Sequence, residues 1–258
     1  MSLGLRSDLL RREGFAHAFF TRRGGVSRPP YDQLNFSTGT GDDPAAVRAN
    51  WELAADHLGV SAARIYVLKQ VHGRSHRTLR GDEAQEELMR TPGDITVSRA
   101  ADVACAVRTA DCPAILLADR RSGAVAACHS GWRGTVRNVA QAGLDALREV
   151  AGGSADVIAA IGPHIEDCCF EVGDDVAAEL AAASPIGEAV VDRSRPRAHV
   201  DLRRIIEAQL RQAGLAPDAI DHVRGCTHCD PARFHSYRRN GKLGGRLMAA
   251  IVVRGRSH

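Results

Sequence analysis

Nowhere does the sequence stay apolar for the roughly 20 residues that a membrane span requires, so no contact with a membrane is expected. The opening stretch MSLGLRSDLLRREGF lacks the apolar core of a secretory signal, and a cytoplasmic location is expected. An excess of charge of one sign is missing too. The 34 basic and 31 acidic residues leave a net charge of +3, too balanced to suggest nucleic acid or a membrane surface as partner. Cysteines are few: seven, an odd number, scattered apart from Cys168-Cys169 and the pair Cys226/Cys229. That usage suits reduced, buried or functional thiols rather than a disulfide scaffold. The chain also has no internal repeat, no low-complexity tract and no linker, and its 11 histidines form no HxH pair.

What remains is a globular composition, 44% hydrophobic and 25% charged over 258 residues, enough to bury a substantial core. FAHAFF (15–20) reads as a strand, and DDPAAVRANWELAADHLGV opens a helix with Asp43 as N-cap and Pro44 at its first position. IYVLKQV (65–71) is β-branched and aromatic, hence a strand, and 81–90 is polar and exposed. Further strands are expected at DITVS, 103–109, 113–119, 124–129 and 156–162, with a hairpin turn at 121–123 and a final strand in LMAAIVV. Apolar residues recur at helical spacing from 135 to 150 and again in DLRRIIEAQLRQAGL, which Gly214 stops. Strands and helices mix without regular alternation. The expectation is an α/β fold, a single-domain mixed-sheet α/β sandwich spanning 1–258.

Three side chains with metal-ligand chemistry follow strands: His72 in KQVHG, Cys112 in TADCP and His129 in ACHSGWRGT. A thiolate and two imidazoles with one position left open make a catalytic zinc set. Their separations follow no local ligand motif, so the grouping is an inference about three dimensions. A metal-free reading uses the same residues, with Cys112 as nucleophile, His129 as base and Asp111 or His72 as orienter. Arg133 and Gly134 precede the 135–150 pattern, where a helix start and a guanidinium together can hold an anion. A capping turn with a solvated arginine reads equally well. The turn TRRGG has the same ambiguity. Near the end, Tyr237, Arg238, Arg239, Lys242 and Arg246 can face a phosphate or nucleotide, or form a solvated loop. His164-Ile165-Glu166 followed by Cys226-Thr227-His228-Cys229 imitates the zinc pattern of nucleobase deaminases. Gly225 stands where that pattern has proline, and the interval is long. The CxxC alone is poor support for a structural zinc or a redox site.

Taken in order, FFTRRGGVS, LNFS, KQVHG, TADCPAILLAD, HSGWRGT, AIGPHIEDCCFEVG, HVDL and FHSYRRNGK closely resemble the laccase-domain family, from about residue 15 to residue 253. That family is also labelled multicopper polyphenol oxidase, purine nucleoside phosphorylase or peptidoglycan editing factor. The resemblance implies one α/β domain with a zinc ion on His72, Cys112 and His129. It also implies phosphorolysis of adenosine, inosine, guanosine and methylthioadenosine, with adenosine deamination, so the partners are a purine nucleoside and phosphate. Substrate contacts are expected from Arg22, Asn35, Arg133, Tyr237 and Arg238. The proton donor to the purine is left among Asp111, Asp94 and Glu171. Alternatives are a cytoplasmic Cys/His amidase editing a UDP-muramyl precursor, a copper-dependent polyphenol oxidase and a metal-binding module. Blue-copper sites use two histidines and a cysteine, but a multicopper enzyme needs a separate histidine-rich cluster, so zinc is expected over copper. Three departures from the family pattern stand out: Pro113 directly after Cys112, the longer GKLGGRLMA, and histidines at 228 and 235 where aromatics are common.

Overall fold

The computed structural model describes residues 3–153 and 155–253. Two mixed sheets carry the fold. One has six strands in the order Ile220–His222, Val157–Ile161, Ala114–Asp119, Val125–His129, Ile95–Ser98 and His76–Leu79. The other has five, in the order Gly4–Leu5, His17–Phe20, Leu247–Val252, Ala104–Thr109 and Ile65–Tyr66. A third, small sheet joins Glu171–Val172, Ala198–Val200 and Val191–Asp192.

The period-2 rule of strands sorts the core into layers. Ala114, Leu116 and Ala118 pack with Val125 and Ala127 against Cys105, Val107, Ala249 and Ile251 of the five-stranded sheet, so the two sheets meet face to face. The alternate residues Ile115, Leu117, Ala126 and Cys128 turn outward onto Val139, Leu144 and Leu147 of the helix Val139–Ala151 and Ile206 and Leu210 of the helix Leu202–Gln212. On the other side Phe20, Ala104, Ala106, Met248 and Ala250 receive Val47, Trp51, Ala54 and Leu58 of the helix Pro44–Leu58. The result is helix, sheet, sheet, helix: the expected mixed α/β sandwich. Each strand with both faces covered is apolar throughout, which is why 114–118 and 124–128 read as continuous runs.

The ends of the main elements follow the expected signals. Asp43 caps the helix Pro44–Leu58 by accepting from the Ala45 N–H at 2.9 Å, and Gly59 closes it at φ +73°. Gly214, at φ +98°, follows the helix Leu202–Gln212. The hairpin pairs Ala114 with His129 and Ala118 with Val125.

Two expectations need correction. Of 65–71 only Ile65–Tyr66 pairs as a strand: Lys69 bridges to the 91–93 loop, its N–H donating to Thr91 O and its carbonyl accepting from the Gly93 N–H, and the Val71 N–H turns to the Asp94 carboxylate. The single helix expected over 135–150 is two. Trp132–Val136 ends at Arg137, and Asn138, with left-handed backbone at φ +56°, caps the helix Val139–Ala151. Within 81–90 a short helix, Gln85–Leu88, also buries Leu88. No helix among the described residues is long and apolar enough to cross a membrane.

Candidate metal centre

Cys112 lies where the chain leaves Ala104–Thr109 in one sheet and enters Ala114–Asp119 in the other. His72 comes from the loop beyond Ile65–Tyr66, and His129 is the last residue of Val125–His129. The fold therefore brings the three together at one end of the sandwich. One ligand atom of each lies within 4.8 Å of the other two. The imidazole rings meet edge to face, with centroids 4.9 Å apart. His129 is buried, Cys112 half-buried and His72 exposed.

A fully buried loop residue, Asp94, organises this group. Its carboxylate accepts the N–H groups of Val71 at 3.2 Å, His72 at 3.0 Å and Gly73 at 2.7 Å, and His129 Nδ1 stands 2.8 Å from its Oδ1. Three successive N–H groups can converge on one carboxylate because His72 takes the left-handed region, φ +57°. That conformation costs about 1 kcal/mol for a residue with a Cβ, which the charge-assisted hydrogen bonds offset. Burial raises the Asp94 pKa, but the bond to His129 and the three N–H donors outweigh it and leave the carboxyl below its usual range. Asp94 is thus an acceptor that fixes His129 with Nε2 turned to the group. Carboxylates behind histidine ligands do this generally.

The thiol and imidazole form a charged pair when no metal is present. Burial disfavours a Cys112 thiolate, yet the neighbouring His129 charge and hydrogen bonds from His129 and His72 bring its pKa down to about 6. For His129 burial disfavours the cation, while the Cys112 thiolate and Asp94 lift it to about 9. A thiolate, two imidazoles and a carboxylate behind one of them fit a zinc-type ion. Space for an ion is also kept clear: a Cβ on Gly131 would come within 2.5 Å of His72 Cδ2 and 3.1 Å of Cys112 Sγ.

The group opens into a cleft of about 620 Å³. Lys69, Arg108, Arg133, Arg238 and Arg246 line it, with Trp132, Ile165, Phe170 and Tyr237 as apolar wall. Asp111 is the carboxylate among the lining residues, and it is already committed. Its Oδ1 accepts from Thr227 Oγ1 at 2.6 Å and its Oδ2 from the Arg238 N–H at 2.6 Å, which hold its left-handed backbone, φ +83°, in front of Cys112. Gln70 fixes Arg108 through both backbone groups, accepting at 2.8 Å and donating at 2.7 Å. Burial first, and then the adjacent Arg246 guanidinium, hold Arg108 below the usual arginine range. Among the described residues neither Arg108 nor Arg246 has a carboxylate in ion-pair contact; Arg246 spends its Nη1 on the carbonyls of Gly244 and Gly245.

Other expected contacts fall differently. Arg133, Tyr237 and Arg238 reach the cleft, but Arg133 is exposed and stacks on Trp132 at 4.3 Å. It sits on the five-residue helix Trp132–Val136, not at the start of the long one, so little macrodipole stands behind it. Arg22 does not line the cleft; it pairs with Asp32 at 3.0 Å. Asn35 is fully buried and stabilises the neighbouring loop through Ser37 O, Asp42 and the Arg246 N–H. Arg239 bonds the carbonyls of Thr227, His228 and Phe234. Glu171 is exposed on the small sheet, paired with Arg197 at 3.2 Å. His164 and Glu166 of the deaminase-like pattern hold Arg203 instead. Lys69, Gln70, Arg108 and Phe170 were missed; the basic, alternating end of 103–109 was the one available signal for Arg108.

The family described as multi-copper polyphenol oxidoreductase laccase matches residues 16–254. A purine nucleoside phosphorylase of Streptomyces coelicolor is 39% identical over 234 residues, covering 89% of this chain and 94% of that protein. An adenosine deaminase, RL5, from an unknown prokaryotic organism is 34% identical and covers 91% of this chain and 92% of its own length. The crystal structure of YlmD from Geobacillus stearothermophilus superposes with a TM-score of 0.85 at 31% identity, over 94% of this chain and 93% of YlmD. With its motifs in order, its site assembled and nearly its whole length matched, the chain belongs to the multi-copper polyphenol oxidoreductase laccase family.

Proposed function

We propose that this chain is a cytoplasmic, zinc-dependent purine nucleoside enzyme acting as one domain over residues 1–258. It phosphorolyses adenosine, inosine, guanosine and methylthioadenosine, and deaminates adenosine in the same cleft. The observation that carries the reading is the pair of partly buried guanidinium groups, Arg108 and Arg246, which have no carboxylate partner among the described residues and stand beside the His72, Cys112 and His129 group. Like charges held together out of water favour an anion between them.

In this reading Arg108 and Arg246 hold phosphate, with Lys69 and Arg238 at its edge. A phosphate oxygen forms the new bond to ribose C1′ as the C1′–N9 bond breaks; the purine leaves with the electron pair and takes up the proton that the attacking hydrogen phosphate gives up. Phe170 and Trp132 shelter the base, while Asp94 holds the proton of His129 at Nδ1 and so turns Nε2 to the bound ion. Bound zinc on His72, Cys112 and His129 supplies Lewis acidity at an open position. Copper-dependent polyphenol oxidation is less well supported, since the second group of potential ligands among the described residues is four cysteines and holds no histidine.

The test is turnover of inosine and adenosine by the metal-loaded protein, with and without phosphate. Hypoxanthine release from inosine that requires phosphate supports the proposal; base release independent of phosphate, or none, overturns it. One observation favours a second reading. Cys112, lowered to about 6, with His129 and Asp94 behind it, is also arranged as a nucleophile, base and orienter. That constellation would serve an amidase acting on a UDP-muramyl precursor, whose diphosphate the same arginines would hold. Amide cleavage without metal, through a covalent Cys112 intermediate, would select it.

A further inference from the structure

Four of the seven cysteines gather away from the cleft. Cys168 and Cys169 lie on the turn beyond Val157–Ile161, and Cys226 and Cys229 on the turn beyond Ile220–His222. These strands are parallel neighbours, with Ile220 opposite Ala159 and His222 opposite Ile161, so both turns emerge from the same end of the sheet side by side. Backbone bonds from the His164 N–H to Gly225 O, 3.1 Å, and from the Thr227 N–H to His164 O, 2.9 Å, bring them into register. One ligand atom from each of the four lies within 4.8 Å of the other three. Cys168 Sγ stands 3.7 Å from the sulfurs of both Cys169 and Cys229, and Cys169 and Cys229 are 3.2 Å apart.

We infer that Cys168, Cys169, Cys226 and Cys229 form a second metal site, a structural four-thiolate zinc site separate from the cleft. A tetrahedron with Zn–S bonds of about 2.3 Å has edges of about 3.8 Å; the two 3.7 Å separations match such an edge, and Cys169 and Cys229, 3.2 Å apart, would move slightly apart around an ion. All seven cysteines are free thiols. The usual alternative for a free cysteine, packing as a small buried hydrophobe, does not describe Cys168 and Cys229, which are exposed. Two cysteine pairs distant in sequence meet in one cluster, and one of them, Cys226 and Cys229, has the CxxC spacing of structural zinc sites.

Four sulfurs leave no coordination position for substrate, so the site braces. One turn carries Ile165 and Phe170 to the cleft wall. The other carries Thr227, whose hydroxyl bonds Asp111 at 2.6 Å, next to Cys112. Zinc here locks one wall of the cleft and the support of Asp111 without touching a reacting group. The site stands whatever reaction the cleft performs.

Elemental analysis of the full-length protein, loaded with zinc under reducing conditions, tests this. The unaltered chain should hold two equivalents, the Cys226→Ser/Cys229→Ser variant one, and the His72→Ala variant should keep the four-thiolate ion. Cobalt in place of zinc gives a readout that needs no variant. Four-thiolate cobalt has strong sulfur-to-metal charge-transfer absorption, beyond what one cysteine at the cleft can give, and it should remain in His72→Ala. Equal metal content in the unaltered chain and the double variant overturns the inference. So does a cobalt spectrum of single-thiolate strength, or a mass deficit of two hydrogens marking a disulfide among these cysteines after anaerobic isolation. Should the double variant not fold, the cobalt spectrum of the unaltered chain decides alone.

Discussion

The two clusters of metal-binding side chains differ in what surrounds them. Around His72, Cys112 and His129 one side is supported by Asp94 and the other opens into a cation-lined cleft. Around Cys168, Cys169, Cys226 and Cys229 the donors close on one another. The first group comes from three segments spread over both main sheets, the second from two turns beside a single strand pair. Three mixed donors with an oriented imidazole leave room for exchange of a fourth partner; four thiolates hold an ion for shape. The difference shows that function follows from the missing ligand and what stands opposite the gap, more than from the ligands present.

The sharpest way to break that contrast is Cys112→Ala. It should lower turnover of inosine and adenosine by more than about 100-fold, beyond the effect of losing an outer-shell partner. Metal content should fall by one equivalent, with the four-thiolate ion retained and circular dichroism unchanged. Loss of activity with both equivalents present would instead assign Cys112 as the nucleophile. Next in size, Asp94→Asn should weaken the cleft ion by about 10- to 100-fold, measured by competition with a chelator. The four-thiolate ion should be indifferent to the change; parallel weakening at both sites would mean that they are not independent.

Arg108→Ala probes the face opposite the ligands. The KM for phosphate should rise about tenfold, near 1.4 kcal/mol, at the lower edge of what a hydrogen bond to a charged group contributes. Zinc content should stay constant, and an unchanged KM removes Arg108 from the anion site. The smallest effect belongs to Arg133→Ala. Its guanidinium is exposed and rests on Trp132, an interaction of about 0.5 kcal/mol at such a site, so KM should change by no more than about threefold. A larger change than for Arg108 would reverse the ranking of buried over exposed arginines.

His72, Cys112 and His129 were legible because each ends or follows a short apolar run in a distinctive motif. The mixed α/β sandwich was legible as well, since double-faced burial leaves strands apolar at every position; the order of its layers was not. Asp94 could not be recognised as the orienter, because that role exists only when the backbone at 71–73 turns and aims three N–H groups at it. Asn35 shares a motif with Ser37, which lines the cleft, but a motif does not say which way a side chain points. The thiol cluster was hidden for another reason. Its halves are joined by the register of two parallel strands, and no spacing along the chain encodes a register between distant strands.

The crossover at Cys112 has a consequence for the sandwich as a whole. His72 leads out of the five-stranded sheet, His129 ends a strand of the six-stranded one, and Cys112 sits on the chain between them. An ion held by all three acts as a rivet through both sheets, so its affinity and the cohesion of the sandwich become one thermodynamic quantity. Above its dissociation constant, this ion alone should add about 1.4 kcal/mol to the folded state for each tenfold rise in free zinc, a slope to be read in the Cys226→Ser/Cys229→Ser variant that lacks the other ion. The melting temperature should then climb with the logarithm of free zinc, which makes unfolding of the sandwich itself a gauge of metal supply.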